Sequence, residues 1–157
     1  MLKKTTIAAA CILISVCSAL ADDPPYGGVK LLKGYRYERS ATVDTINGRI
    51  YKEHGLSIEF ESGISEGYAV DPRENKNYLW YREQEINGHK VFVALTRPGV
   101  NTKWKPKKSR RAGLHILMAT FPGKFGPLDA ANFYAEVADD TEIADALLMI
   151  FTFDPTK

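Results

Sequence analysis

Two Asn-Gly dipeptides, Asn47-Gly48 and Asn87-Gly88, constrain what this chain can fold into more than any other feature. A two-residue type I′ hairpin needs positive φ at both central positions. Asn-Gly tolerates this best, and each dipeptide lies between runs of β character, so each predicts a hairpin tip. The second prediction is the sharper one. Folding residues 77–86 back on residues 89–97 sets Glu85 against Lys90 and places Trp80, Val91, Val93 and Leu95 on one face. The first hairpin would pair residues 41–46 with residues 49–53. Beyond it, Leu56, Ile58 and Phe60 alternate with Ser57, Glu59 and Glu61, the pattern of a strand with one face on a core.

Residues 113–121 and 132–137 read as two further strands, the former apolar on both faces and therefore central. The last element differs in kind. Asp139, Asp140 and Glu142 give an acidic first turn with a capping arrangement, and Ile143, Ala146, Leu147, Ile150 and Phe151 follow at helical spacing. A helix over residues 141–151 with so wide an apolar stripe should lie on the sheet. The expected fold is a single α+β domain, a mostly antiparallel sheet of about five to seven strands with a C-terminal amphipathic helix on one face. A small up-and-down β-barrel with a terminal helix is the alternative.

The first 21 residues are not expected in the working protein. Lys3 and Lys4 precede an uncharged run centred on residues 7–16, and Ala19 and Ala21 are small at the positions signal peptidase reads. The run is too short and too diluted by Thr5, Thr6, Ser15 and Ser18 for an anchor, which needs roughly 20 apolar residues. Cleavage after Ala21 would send a chain starting at Asp22 to a periplasm or the medium of a bacterial host. Both cysteines, Cys11 and Cys17, leave with the leader, so no disulfide, thiol nucleophile or thiolate ligand is expected. Removing 21 of the 157 residues leaves 136, one domain's worth, able to bury roughly two-thirds of its unfolded surface. Residues 22–34, rich in Pro and Gly, read as an extended segment without a helix, and residues 35–157 as the domain.

Catalytic patterns do not survive their context tests. Gly63-Ile64-Ser65-Glu66-Gly67 matches a nucleophile elbow in letters, but such an elbow opens into a helix, and Pro72 with its β-type neighbours argues for another extended segment. Were Ser65 a nucleophile, Asp71 with His89 or His115 would complete the order. His54, His89 and His115 lie too far apart for a local metal site, and each fits a structural role better. Neither metal nor cofactor is expected. Glu59 and Glu61 read as a solvated strand face, with no carboxylate pair marked for glycoside chemistry.

The most distinctive mature stretch is basic. Lys103, Trp104, Lys105, Lys107, Lys108, Arg110 and Arg111 set six positive charges around one aromatic, and Pro106 keeps the stretch out of a helix. An extended strap of this kind suits a polyanion, with Trp104 stacking on a sugar or entering a headgroup layer. Its bland counterpart is a solvated loop attracted to the acidic residues 126–155. Tyr35, Tyr37, Tyr78, Trp80 and Tyr81 form a second candidate, either a ligand lining or core filling.

The resulting expectation is an exported, non-enzymatic binding module that contacts a partner protein or an anionic envelope polymer or lipid, with the basic stretch as its contact. Nucleic acid is not expected of an exported chain. A small extracytoplasmic hydrolase is the alternative.

Overall fold

The computed structural model describes residues 25–41, 45–63, 67–104, 114–125 and 128–157. Seven antiparallel strands form one sheet: β1 (Arg36–Ala41), β2 (Thr45–Tyr51), β3 (Ser57–Gly63), β4 (Tyr78–Ile86), β5 (His89–Thr96), β6 (His115–Phe125) and β7 (Leu128–Val137). Their order is β1-β2-β3-β7-β6-β5-β4, two meanders joined where β3 meets β7 with Phe60 opposite Phe133. The sheet is open, so the barrel alternative is set aside. The α-helix among the described residues, α1 (Asp140–Ile150), lies over β7.

Alternation along the strands builds the helix-side core. Ile50, Ile58, Phe60, Val91, Val93, Leu95, Leu117, Phe121, Phe133 and Val137 face Ala146, Met149 and Ile150 of α1, with Phe153 beyond it. Ala131 and Ala135 of β7, like Ala146, are small where helix and sheet approach. The helix begins as its sequence predicts. Asp139 accepts from the Glu142 amide at 2.9 Å, while the Glu142 carboxylate reaches back to the Ala138 amide at 2.9 Å.

The Asn87-Gly88 tip is as expected: Asn87 and Gly88 both have positive φ, Glu85 pairs with Lys90, and Trp80 lies opposite Leu95. The Asn47-Gly48 expectation is overturned. Both residues sit inside β2, where Asn47 pairs with Ser40 and Glu61, and Gly48 with Arg39 and Phe60. The β1–β2 connection falls at residues 42–44, outside the described residues. Gly48 serves a different need, close approach: a Cβ there would run into the Glu38 carbonyl oxygen of β1 and would sit 2.7 Å from Cζ of the Phe60 ring. Tyr37 stacks on that ring at 5.6 Å and 9°, and Tyr26 at 6.3 Å and 15°.

Tyr26 belongs to the segment expected to be extended and helix-free. A three-residue 3-10 turn, Tyr26–Gly28, interrupts it, and the described part of the segment packs on the sheet through Tyr26 and Val29. Hydrogen bonds from the Tyr26 amide to the Tyr37 hydroxyl (3.0 Å) and from the Asp154 amide to the Gly27 carbonyl (2.8 Å) hold it there.

Candidate polar cleft on the face opposite the helix

The face turned away from α1 has two unlike halves. Over β4–β7 it carries a second apolar cluster of Phe92, Ala94, Ile116, Met118 and Tyr134, covered by Ala69, Val70 and Trp104. A buried polar pair holds the cover in place. Asn132 Oδ1 accepts from the Ala69 amide (2.9 Å) and the Thr120 hydroxyl (2.8 Å), its Nδ2 donates to the Gly67 carbonyl (2.9 Å), and Thr120 Oγ1 accepts from the Val70 amide (3.0 Å). Every one of these polar atoms is satisfied inside, so the cover is fixed rather than merely apposed.

The β1–β3 half presents polar residues around a cleft of about 680 Å³. Strand period and register bring them together. Glu38 of β1 lies opposite Arg49 of β2, which lies opposite Glu59 of β3, and Tyr134 of β7 closes the row opposite Glu59. Arg49 Nε and Nη2 approach Glu38 Oε2 at 2.8 and 2.6 Å, and the guanidinium lies 4.4 Å from the Tyr51 ring centroid. The Glu38 hydrogen bond raises the Arg49 pKa further above its ordinary value, with Tyr51 and Glu59 adding to it. The Tyr134 hydroxyl donates to Glu59 Oε2 at 3.4 Å, and Glu61 lies two residues along the same face. His54, in the left-handed β2–β3 turn, stands at the rim with Nε2 3.9 Å from Glu53.

Of the basic stretch, only Lys103 and Trp104 are described; Lys105, Lys107, Lys108, Arg110 and Arg111 lie outside the described residues. Trp104 is 5% exposed, with its ring edge-on to Tyr134 at 5.5 Å and Lys103 Nζ 4.9 Å from its centroid. An indole so placed has no open face for stacking on a ligand. It anchors the root of the stretch beside the cleft wall, and charge is what remains for a partner to meet.

The aromatic candidates do not share a surface. Tyr35, Tyr37 and Trp80 pack on the helix-side core, whereas Tyr78 and Tyr81 stack on the other face at 6.3 Å. The Tyr35 hydroxyl donates to Asp145 at 2.9 Å. Tyr78 exchanges hydrogen bonds with the Asp71 backbone, and burial pushes its hydroxyl pKa up.

Ser65 lies outside the described residues. Asp71 is engaged by Arg73, whose hydrogen bonds hold its carboxyl below the usual range. His89 faces Asp154 at 3.8 Å, and His115 Nδ1 contacts the Thr96 carbonyl at 2.7 Å. Among the described residues no group of three or more His, Cys, Asp or Glu could hold a metal ion, and no helix is long and apolar enough to cross a membrane.

The cleft itself was hidden in the sequence by a register error. A turn at Asn47-Gly48 sets Arg49 against Ile46; the true pairing sets it against Glu38. The available signal was the run of polar residues at period two on successive strands, Asn47, Arg49 and Tyr51 beside Ser57, Glu59 and Glu61. The chain matches no protein-family model, no curated protein and no solved structure.

Proposed function

We propose that this chain is an exported, non-enzymatic binding module that holds a partner protein of the cell envelope in the cleft of β1–β3. The observation that carries this reading is the cleft wall. Glu38, Arg49 and Tyr51 contact one another on neighbouring strands, which biases these side chains toward one arrangement before any partner arrives. A concave surface with a few convergent polar groups on rigid strands is the usual form of a recognition site. Export is supported by the leader composition alone. The basic stretch from Lys103 to Arg111 is the second contact in this reading, adding long-range attraction to an anionic surface.

A serine hydrolase built on Asp71 with His89 or His115 would have to draw on groups already engaged elsewhere, since each serves a local contact.

Pull-down from envelope extract with the mature chain tests the reading. A captured protein should be lost when Arg49→Ala and Tyr134→Ala are combined, and kept, with weaker salt dependence, when the six cations of the basic stretch become Gln. A captured protein indifferent to the cleft pair, or none, overturns it. Mass spectrometry of native protein should find Asp22 as the first residue.

A further inference from the structure

We infer that Asn87 is a modification site: its side-chain amide converts to an acid through attack by the Gly88 amide, and the conversion unlatches the C-terminal tail from the β4–β5 hairpin tip. The site lies toward the opposite edge of the sheet from the cleft.

Both Asn-Gly dipeptides carry the residue types for this chemistry, and the fold treats them differently. A backbone amide can attack the preceding asparagine Cγ only where it stands outside a hydrogen-bond ladder and the chain can turn toward the side chain. Gly48 lies in β2 with β1 on one side and β3 on the other, so its amide is turned to one neighbour or the other. At the hairpin tip the ladder closes through Ile86 and His89, and Gly88 stands beyond it. Asn87 and Gly88 are both exposed. Among the described residues, a Cβ built on Gly88 would meet nothing within 4 Å, so a ring closing there meets no neighbour.

The step needs only water. Gly88 N bonds to Asn87 Cγ and gives up its proton, the Cγ–Nδ2 bond breaks, and Nδ2 departs as ammonia. Water then opens the cyclic imide at either carbonyl, leaving aspartate or isoaspartate at position 87.

The tail is what restrains this reaction. Asn87 Nδ2 donates to the Phe153 carbonyl at 2.9 Å and to the Phe151 carbonyl at 3.3 Å, which ties the departing nitrogen to the chain end. The tail must open before the amide can swing onto Gly88, so local opening gates the chemistry. After conversion both donors are gone, and an acceptor-only carboxylate faces two carbonyl oxygens. The same tail holds the N-terminal segment: the Asp154 amide donates to the Gly27 carbonyl at 2.8 Å, and the Lys30 amide to Thr152 Oγ1 at 2.7 Å. Unlatching is therefore one-way and loosens that segment as well.

The test ages the full mature chain in mildly alkaline buffer and maps both dipeptides by mass spectrometry. In the folded protein Asn87 should convert about tenfold faster than Asn47. In urea the two should agree within about threefold, because only the fold distinguishes them. Thr152→Ala, which unties the tail from Lys30, should speed conversion at Asn87 about threefold and leave Asn47 unchanged. For the consequence, Asn87→Asp should quicken hydrogen exchange at the Asp154 and Lys30 amides about tenfold while Ile58 and Val93 hold. Asn87→Gly keeps the turn and cannot deamidate, so its tail amides should not change with age, whereas those of the parent should quicken. Circular dichroism confirms that each variant is folded. Equal conversion at the two sites in the folded protein, a Thr152→Ala rate equal to the parent's, or tail amides indifferent to Asn87→Asp or to ageing would overturn the inference.

Discussion

The two halves of the face opposite α1 share one sheet and one strand period, yet one half is sealed and the other forms a cleft. Over β5 and β6 the outward positions are Phe92, Ala94, Ile116 and Met118, and a tethered segment lies on them. Over β2 and β3 they are Asn47, Arg49, Tyr51, Ser57, Glu59 and Glu61, around a cleft. Among the described residues, the apolar outward positions of this face coincide with the segment that covers them. Stability and recognition are separated side by side on one surface, and substitutions should sort accordingly.

The largest effect should come from the residue that both halves depend on. Phe133, 2% exposed, touches the rings of Phe60, Phe121 and Phe153 at the junction of the meanders. Phe133→Ala should cost about 4 kcal/mol in urea denaturation, with one cooperative transition. Two transitions would mean that the halves are separate folding units, and the comparison would have to be redrawn. Next comes the tether. Asn132→Ala leaves the Ala69 amide and the Gly67 carbonyl without their buried partner, a loss of about 3 kcal/mol. Hydrogen exchange should quicken at Ala69 and Val70 while the amides of Ile50 and Ile58 hold; quickening at all four would show that the cover is part of the main core.

The same unlike halves explain what the sequence could reveal. The β4–β5 hairpin was legible because Asn87-Gly88 does locally what its residue types favour, and Glu85 lies opposite Lys90 in the register, although the Lys90 ammonium reaches diagonally to Glu83. The helix was legible for the same reason, its cap and stripe being written within a dozen residues. Gly48 misled because the demand on it comes from far along the chain. The Glu38 carbonyl of β1 and the ring of Phe60 need the space, and no local rule contains that. With the turn misplaced, Arg49 had no visible partner in Glu38, and the cleft could not be assembled. Trp104 misled in the opposite direction. Set among cations it reads as a surface aromatic, but its place on Tyr134 depends on β7, thirty positions further on.

Gly48 yields a sharper form of this contrast. Gly48→Ala adds a methyl against the Glu38 carbonyl and the Phe60 ring and should cost about 3 kcal/mol through overpacking, with the near-ultraviolet signal of the Tyr26, Phe60 and Tyr37 stack disturbed. Gly88→Ala, where nothing lies within 4 Å, tests the positive-φ requirement alone and should cost less, about 1 kcal/mol. If Gly88 proves the costlier position, close approach is not what keeps glycine in β2.

The smallest effect on stability belongs to the cleft wall. The Arg49 and Glu38 side chains are 40% and 55% exposed, so water and salt screen their attraction, and ordering two long side chains opposes it. Glu38→Gln should therefore change the urea midpoint by no more than about 0.5 kcal/mol at low salt, and by less at high salt. Its effect on binding should be out of proportion to this, because the carboxylate's work is to hold the guanidinium over Tyr51 rather than to hold the fold together. A Glu38→Gln protein that keeps its stability but loses the captured partner would separate the two halves by function as cleanly as burial separates them by structure. One that is strongly destabilised would show that the cleft half, too, belongs to the core.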